Sequence, residues 1–520
     1  MSARRQNWLA SVVGVVAAMV TLGAAEVVAL FVAAASSPLV AVGSFVIDIV
    51  PAWFKDFAIA LFGLNDKIAL LVGLGLLVTV LAAIIGVLEL RRPPAGTIGL
   101  GVVGVVAMIS ALTRAESTLL WALPTVVGAA VGALVLRLGI RRLSSWIAAA
   151  PPAGSAPSHA AGLSRRGFVG FVSASAAAAL VAGLAARAVN AASTVVDTVR
   201  EAITLPKPAV AARAIPNGAE LGIDGLDPLF TSNAAFYRID TAIIVPLVSA
   251  SEWKLRIVGM VEHELEITFD ELLALPLIET DVTLACVSNE VGGGLIGNAR
   301  WMGYPIRDLL ARAKPTGGAD MVLSRSVDGW TASTPLSVLE DENRDSILAV
   351  SMNGEPLPQE HGFPVRMVVP GLYGYVSATK WVTELKLTRF ADETAYWTDR
   401  GWSAKGPIKM SSRIDVPSYT ALVPLAPITV AGVAWAQHVG IAAVDVRFDK
   451  GEWQPATLAT ALSDDTWVQW SLPWTPAAEK VYLIEVRATD KKGTVQSEDR
   501  VQPPPNGAEG WHAITVEAQA

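Results

Sequence analysis

A single cysteine, Cys286, in 520 residues leaves no partner for an intramolecular disulfide and too few thiolates for an all-cysteine zinc or iron–sulfur site. Histidine is sparse as well. His159, His263, His361, His438 and His512 are the only five, and none lies inside a long apolar run, which excludes a haem held between membrane helices by paired imidazoles. Positive charge is gathered into no dense stretch, and a net charge of −7 argues against nucleic acid as a partner. Charge is also missing from the long apolar runs away from their ends, where only Glu26 interrupts. An ion pathway would normally show more, so Glu26 is either functional or satisfied by a neighbouring helix.

What is present pulls in two directions. The chain is 52% hydrophobic, yet it holds 16 Trp, 31 Pro and 47 acidic residues. That combination divides the chain into an apolar membrane half and a globular half of mixed composition. Apolar runs from Trp8 to Ala35, Ile68 to Leu90, Ile98 to Leu112 and Leu119 to Leu138 are candidate spans, the third being short for a ~30 Å hydrocarbon core. Between the first two, Asp48, Lys55 and Asp56 break an aromatic-rich stretch that reads as interfacial or re-entrant. Residues 1–145 are thus expected to form four transmembrane helices, followed by a Pro/Ala linker at 146–166 and a fifth span at 167–188.

Basic residues at Arg4/Arg5, Arg91/Arg92, Arg137/Arg141/Arg142 and Arg165/Arg166 recur at alternate membrane boundaries. The positive-inside rule places all four clusters in the cytoplasm and everything after the fifth span outside it, on a plasma membrane. Ser164-Arg165-Arg166-Gly167-Phe168-Val169 ahead of an Ala-rich helix fits a twin-arginine export signal, and an ordinary basic flank fits it too.

Beyond a linker at 189–228, strand-like runs (KLRIVGMV, ADMVLSRSV) alternate with helical ones (FDELLAL, PIRDLLARA), which is α+β patterning over 229–410. From about Ser411 helical signals vanish, and 411–520 reads as roughly seven strands of an immunoglobulin-like β-sandwich. Polar and glycine-rich strings mark a site within the α+β part: SNAAFYRID (232–240), TLACVSNEVGGGLIGNARWMG (283–303) and MNGEPLPQEHGFPVRMVVPGLYGYVSATKW (352–381).

On these strings, and above all on MNG-x-PLP-x-x-HGFPVR-x-VVPG followed by KW, the chain from about Asn233 to its C-terminus resembles the sulfite oxidase family, which includes periplasmic methionine sulfoxide reductases. The resemblance implies a sulfite-oxidase-type molybdopterin domain followed by an immunoglobulin-like domain of the family's dimerisation type; with the helical membrane bundle, which falls outside the resemblance and is read from the apolar runs, the expected fold has three parts. It implies molybdenum bound by one pterin, with Cys286 as the protein's thiolate ligand and as a catalytic residue. Strand VTLAC would fix that ligand before a glycine-rich turn. Bare sequence allows an inert core cysteine at that place instead.

The resemblance further implies that Asn233, Tyr237, Arg238, Cys286, Asn289, Ser326, His361, Arg366, Ser377, Thr379 and Lys380 contact the cofactor, with Ser377, Thr379 and Lys380 forming a phosphate-binding run and Arg366 a fork of donors. Asn289 has a second reading as a loop-stabilising side chain, His361 as a structural histidine, and Arg366 and Lys380 as members of surface ion pairs. Arg238 occupies the place of a catalytic, anion-guiding arginine. Two departures bear on substrate: Val350 stands where sulfite oxidisers carry a tyrosine, and Arg238-Ile239-Asp240 replaces their RNH string. The expected activity is two-electron oxygen-atom transfer on a small oxyanion or sulfoxide-type substrate, protein sulfoxides included, with a separate haem- or quinone-linked electron partner and a possible homodimer. A non-catalytic receptor or scaffold that retains the fold is the alternative from another class.

Overall fold

The computed structural model describes residues 1–51, 54, 57, 61–62, 66–115, 117–149, 159–191 and 200–520. Lys55, Asp56 and the Pro-rich heart of the 146–166 linker lie outside the described residues, so the re-entrant reading and the linker are carried by sequence alone. The chain divides into two compact units, Met1–Val195 with Thr241–Val245, and Val196–Asp240 with Pro246–Ala520.

The first unit is helical: α1 (Ala3–Val32), α2 (Pro38–Ile49), α3 (Asp66–Arg91), α4 (Ala95–Leu112), α5 (Ala122–Ala148) and α6 (His159–Ala191). Ser2 caps α1, its hydroxyl accepting the Arg5 N–H at 3.4 Å, and Pro38 starts α2, where a missing N–H costs nothing. Among the described residues five helical stretches are long and apolar enough to cross a membrane, including the 18-residue Ala95–Leu112. With 12 residues α2 reaches only ~18 Å at ~1.5 Å per residue and is too short to cross.

Small residues let the helices touch. A Cβ added to Gly14 on α1 would come within 2.0 Å of the Ala82 carbonyl on α3, and one on Gly86 within 2.0 Å of the Ala10 carbonyl. Gly128 and Gly132 of α5 meet Thr21 of α1 in the same way, at 2.5 and 1.8 Å. Such small-residue seams are how helices associate where no hydrophobic effect drives them together. Glu26 is buried and accepts the Ser37 hydroxyl at 2.7 Å, so a neighbouring segment satisfies it. Glu89 is buried too and caps α4, accepting the Thr97 N–H at 2.7 Å; sequence reading passed over it. Segment Thr241–Val245 packs into this unit, where Lys67 Nζ donates to the Ala242 carbonyl at 2.7 Å.

The second unit opens with β1 (Lys254–Gly259), β2 (Leu265–Thr268) and α7 (Phe269–Leu273), whose start is fixed by a capping box between Thr268 and Glu271. There follow β3 (Ile278–Ala285), β4 (Ile296–Pro305), α8 (Ile306–Ala313), β5 (Met321–Ser326), β6 (Thr331–Pro335), α9 (Leu336–Leu339), β7 (Ile347–Met352), β8 (Glu355–Pro356), β9 (Arg366–Val368), α10 (Gly374–Ser377) and β10 (Val382–Thr388). They build two sheets, β2-β1-β10-β5-β6 and β3-β4-β7-β8 with β9 added beside β7. The pairing of β3 with β4 runs up to Ala285 opposite Ile296, so Cys286 is the first residue of the turn that joins them.

From Ser411 onward the chain is all β: β11 (Ser411–Val416), β12 (Leu422–Pro424), β13 (Ile428–Trp435), β14 (Ile441–Phe448), β15 (Gln454–Pro455), β16 (Thr457–Leu458), β17 (Val468–Trp474), β18 (Val481–Asp490) and β19 (His512–Gln519). Two sheets, β11-β13-β17-β16 and β12-β19-β18-β14-β15, close on one core that includes Val430, Trp470, Val444, Ile484 and Ile514. Sequence reading expected about seven strands; the additional ones are pieces of two or three residues, too short for alternation to register. No break in packing occurs at Ser411, because Val433, Trp435 and Trp467 belong to the core that also holds Trp301 and Leu284.

Candidate functional site

Cys286 is buried, its N–H donating to the Leu295 carbonyl at 2.9 Å across the base of its turn. Burial pushes the thiol's pKa up, and hydrogen bonds from Ser288 pull against that. Two phenols answer to the charge at this sulfur. Tyr237 is raised strongly, first by burial and next by Cys286, and Tyr373 is pushed up to about 12 by burial with a smaller push from the same residue. Tyr373 was not singled out from sequence, where it was hidden inside the GLYGY turn; Gly374 beside it would carry a Cβ 3.8 Å from the Ala285 carbonyl.

Arg366 emerges from β9 fully inside the protein. Its guanidinium donates to the His361 carbonyl at 3.2 Å and lies 5.1 Å from the Trp301 ring, and among the described residues it makes no ion pair with a carboxylate. Burial holds its pKa down to about 10, and the Tyr237 phenol is the group that pulls it back up. His361 is buried with Nε2 2.9 Å from the Asn233 carbonyl oxygen and its ring edge-on to Phe236, and burial followed by Arg366 lowers it to about 4. Phe236 in turn stacks on Tyr237 and meets Trp301 edge-on. One aromatic wall therefore carries Tyr237, His361 and Arg366 together.

A second group gathers around Lys380. Its ammonium is buried and bonds Asp240 Oδ2 at 2.7 Å and the Glu360 carbonyl at 3.0 Å; burial draws its pKa down to about 8 against the pull of Asp240. Arg238 is half-exposed and engages the same Asp240, Nε to Oδ2 at 2.9 Å, so the guanidinium expected to guide anions is held by a carboxylate two residues on. Ser326 ends β5 opposite Val382, and its hydroxyl is buried without a well-formed hydrogen bond, the nearby Asp328 carboxyl being the group that senses it.

Other side chains have local duties. Thr379 Oγ1 pairs with Ser324 Oγ at 2.7 Å, and the Ser377 hydroxyl donates back to the Tyr373 and Leu372 carbonyls at the end of α10. Asn289 Oδ1 accepts the Leu295 N–H at 2.8 Å, closing the Cys286 turn, which is the loop-stabilising reading of that residue. Asn233 accepts from Asn353 Nδ2 at 2.9 Å and thereby ties the first string to the MNG turn, where Asn353 adopts φ 53°.

These residues suit an anionic cofactor. A buried cation without a counter-charge and an unpaired buried hydroxyl are both expensive unless a ligand supplies the partner. Among the described residues Arg366 is such a cation, the Ser326 hydroxyl has only the loose company of the Asp328 carboxyl, and Lys380 and His361 lie within reach of the same field. A soft metal bound to the turn would supply the positive charge that keeps Cys286 a thiolate against its burial.

Comparison with known proteins agrees. Residues 242–397 match the oxidoreductase molybdopterin binding domain family. The chain is 29% identical to mitochondrial sulfite oxidase of Mus musculus over 324 residues, covering 52% of this chain and 59% of that protein. It is 33% identical to the uncharacterised oxidoreductase YuiH of Bacillus subtilis (strain 168) over 156 residues, which cover 30% of this chain and 75% of YuiH. Among solved structures, the sulfane dehydrogenase SoxCD from Paracoccus pantotrophus aligns with 25% identity and a TM-score of 0.49, covering 55% of this chain and 81% of that one. The match to mouse sulfite oxidase thus spans about three fifths of that relative's length. With its molybdopterin-domain match and its likeness to sulfite oxidases and YuiH, the chain belongs to the sulfite oxidase family of molybdopterin-dependent oxidoreductases.

Proposed function

We propose that this chain is a membrane-anchored oxidoreductase whose second unit works outside the cytoplasm, carrying out two-electron oxygen-atom transfer on a small oxyanion or sulfoxide-type substrate. The observation that carries the reading is the aromatic wall of Phe236 and Trp301, which brings Tyr237, His361 and the buried Arg366 together, with the Tyr237 phenol sensing the charge of Cys286. Molybdenum held by one pterin supplies the redox and oxygen-exchange chemistry when bound. Cys286 is the ligand; Asn233, Tyr237, His361, Arg366 and Lys380 grip the pterin, with Ser326 and Thr379 lining its bed. Arg366 and Lys380 hold negative charge, and the aromatic wall of Phe236 and Trp301 keeps water from their back side.

Five apolar helices and the alternation of arginine clusters support anchoring with the catalytic unit exported. The two-sheet C-terminal region is read as the family's immunoglobulin-like, dimerisation-type domain. Electrons pass to or from a separate haem- or quinone-linked partner.

Within the substrate classes, the clamp of Asp240 on Arg238 favours an uncharged sulfoxide over sulfite, since a paired guanidinium offers an anion little. Steady-state assays with sulfite, methionine sulfoxide and dimethyl sulfoxide against artificial electron carriers decide this. Sulfoxide reduction is expected to exceed sulfite oxidation in kcat/KM by tenfold or more, and Asp240→Asn is expected to narrow the gap by freeing Arg238. Faster turnover of sulfite by the unaltered protein contradicts the substrate reading.

A further inference from the structure

The turn that carries Cys286 is held from two sides, and one of them comes from the far end of the chain. From within, Asn289 closes it, as described above. From outside, Arg413 of β11 donates Nη1 to the Gly293 carbonyl at 3.0 Å. That guanidinium is itself fixed: it is buried, bonds Asp415 through Nε at 2.5 Å, and also pairs with Asp227. Next to it, His512 of β19 accepts the Ile414 N–H on Nδ1 at 2.9 Å, which leaves the proton on Nε2. The opposite edge of the ring lies on the turn: a Cβ built on Gly292 would stand 2.3 Å from His512 Nε2 and Cδ2.

Gly292 has φ 81°, a left-handed conformation that glycine adopts without strain. The position therefore needs glycine twice over, once for its backbone and once to admit the imidazole. His512 stays neutral in this setting, since burial and the neighbouring Arg413 and Arg500 hold it down to about 4.

We propose that the C-terminal two-sheet region is a positioning element for the metal-ligand turn, with His512 and Arg413 as the residues that fix residues 286–295. The two residues do not touch the reacting atoms. They act through the turn, fixing the direction in which the Cys286 sulfur is presented, and ligand orientation of this kind tunes a bound metal. The C-terminal region thus has a role within each chain, independent of any role in pairing two chains. The inference rests on the proposed ligation by Cys286 for its consequence at the metal, but the clasp itself is a property of the protein alone.

The test uses the full chain in detergent and two readouts. Amide hydrogen exchange at Glu290–Leu295 reports the clasp without reference to metal. His512→Ala is expected to speed exchange there tenfold or more while β14 and β18 exchange as before. His512→Asn, which keeps an acceptor for the Ile414 N–H, is expected to retain most of the protection, and it also serves if His512→Ala fails to fold. Gly292→Ala made in the native and His512→Asn backgrounds completes a double-mutant cycle: the backbone strain is common to both, so any smaller effect on exchange in the second background measures the ring contact. In metal-loaded protein, Arg413→Lys and His512→Ala are expected to shift or broaden the paramagnetic Mo(V) signal at unchanged molybdenum content. Unaltered exchange at Glu290–Leu295 in both His512 variants, or a Gly292→Ala effect of equal size in both backgrounds, overturns the clasp. Altered exchange with an unchanged Mo(V) signal overturns its role at the metal, and absence of molybdenum from the unaltered chain contradicts the ligand reading while exchange still judges the clasp.

Discussion

Among the described residues Arg366 meets no carboxylate, and a buried cation kept without one points to a ligand that arrives later. Arg366→Met is accordingly expected to leave the cofactor-free protein at least as stable as before, by up to about 1 kcal/mol, because a desolvated charge is replaced by an apolar side chain of similar length. Pterin retained through purification should fall at least tenfold. Thermal melting of cofactor-free protein together with fluorescence of the oxidised pterin reads both, and a less stable variant that keeps its pterin would contradict this role. His361 and His512 set a pH dependence. Both are lowered from 6.5 to about 4, burial being the main cause, so the unfolded chain binds more protons than the folded one between those values. The stability they contribute is fully present above pH 6.5 and is lost as pH falls toward 4, on the order of 3 kcal/mol each at most. Melting followed by near-ultraviolet circular dichroism at pH 7 and pH 5 should show the drop, and His361→Gln should make it shallower.

At the scale of elements, the helical unit depends on glycine seams. Gly86→Val places branched carbon where Ala10 O already lies 2.0 Å from a bare Cβ, whereas Gly75, on the same helix, has open space around it. The first substitution is expected to lower the melting temperature in detergent by 5 °C or more, the second to leave it within about 1 °C. Equal effects would mean that α1 and α3 do not pack as described. Elements with strong local signals were legible in the sequence: KLRIVG, MVLSRS and IAAVDVRF are strands where alternation or β-branching said so, and FDELL is a helix with its capping box. The long contiguous strings carry Cys286, His361, Arg366 and Lys380, and the structure buries all four. Partners brought in by tertiary packing were not legible. Asp240 gives no hint in RID that it will bridge Arg238 and Lys380, and His512 lies 220 positions beyond the Gly292 it covers, a contact that no local pattern encodes.

For the whole molecule, the orientation argued from arginine clusters makes a direct prediction. In a Cys286→Ser background, Lys492→Cys should react with a membrane-impermeant maleimide added to intact cells, while Arg92→Cys should react only after lysis. The reverse pattern would place the second unit in the cytoplasm. Here too the sequence showed part of the truth: it divided the chain by composition into an apolar and a mixed half, and the all-β sheets do begin at Ser411, but nothing in it showed that Trp435 and Trp467 share a core with the sheets before them. Composition reports which segments are buried in what solvent, and it is silent on which segments share one interior. The central claim, that this chain holds molybdenum through its one cysteine, is tested most directly by element and pterin analysis of the detergent-solubilised chain beside Cys286→Ser. About one molybdenum and one pterin per chain, with the metal lost or its ligation altered in the variant, is the predicted result. Absence of both from the unaltered protein, or a variant that keeps them together with full turnover, would contradict it.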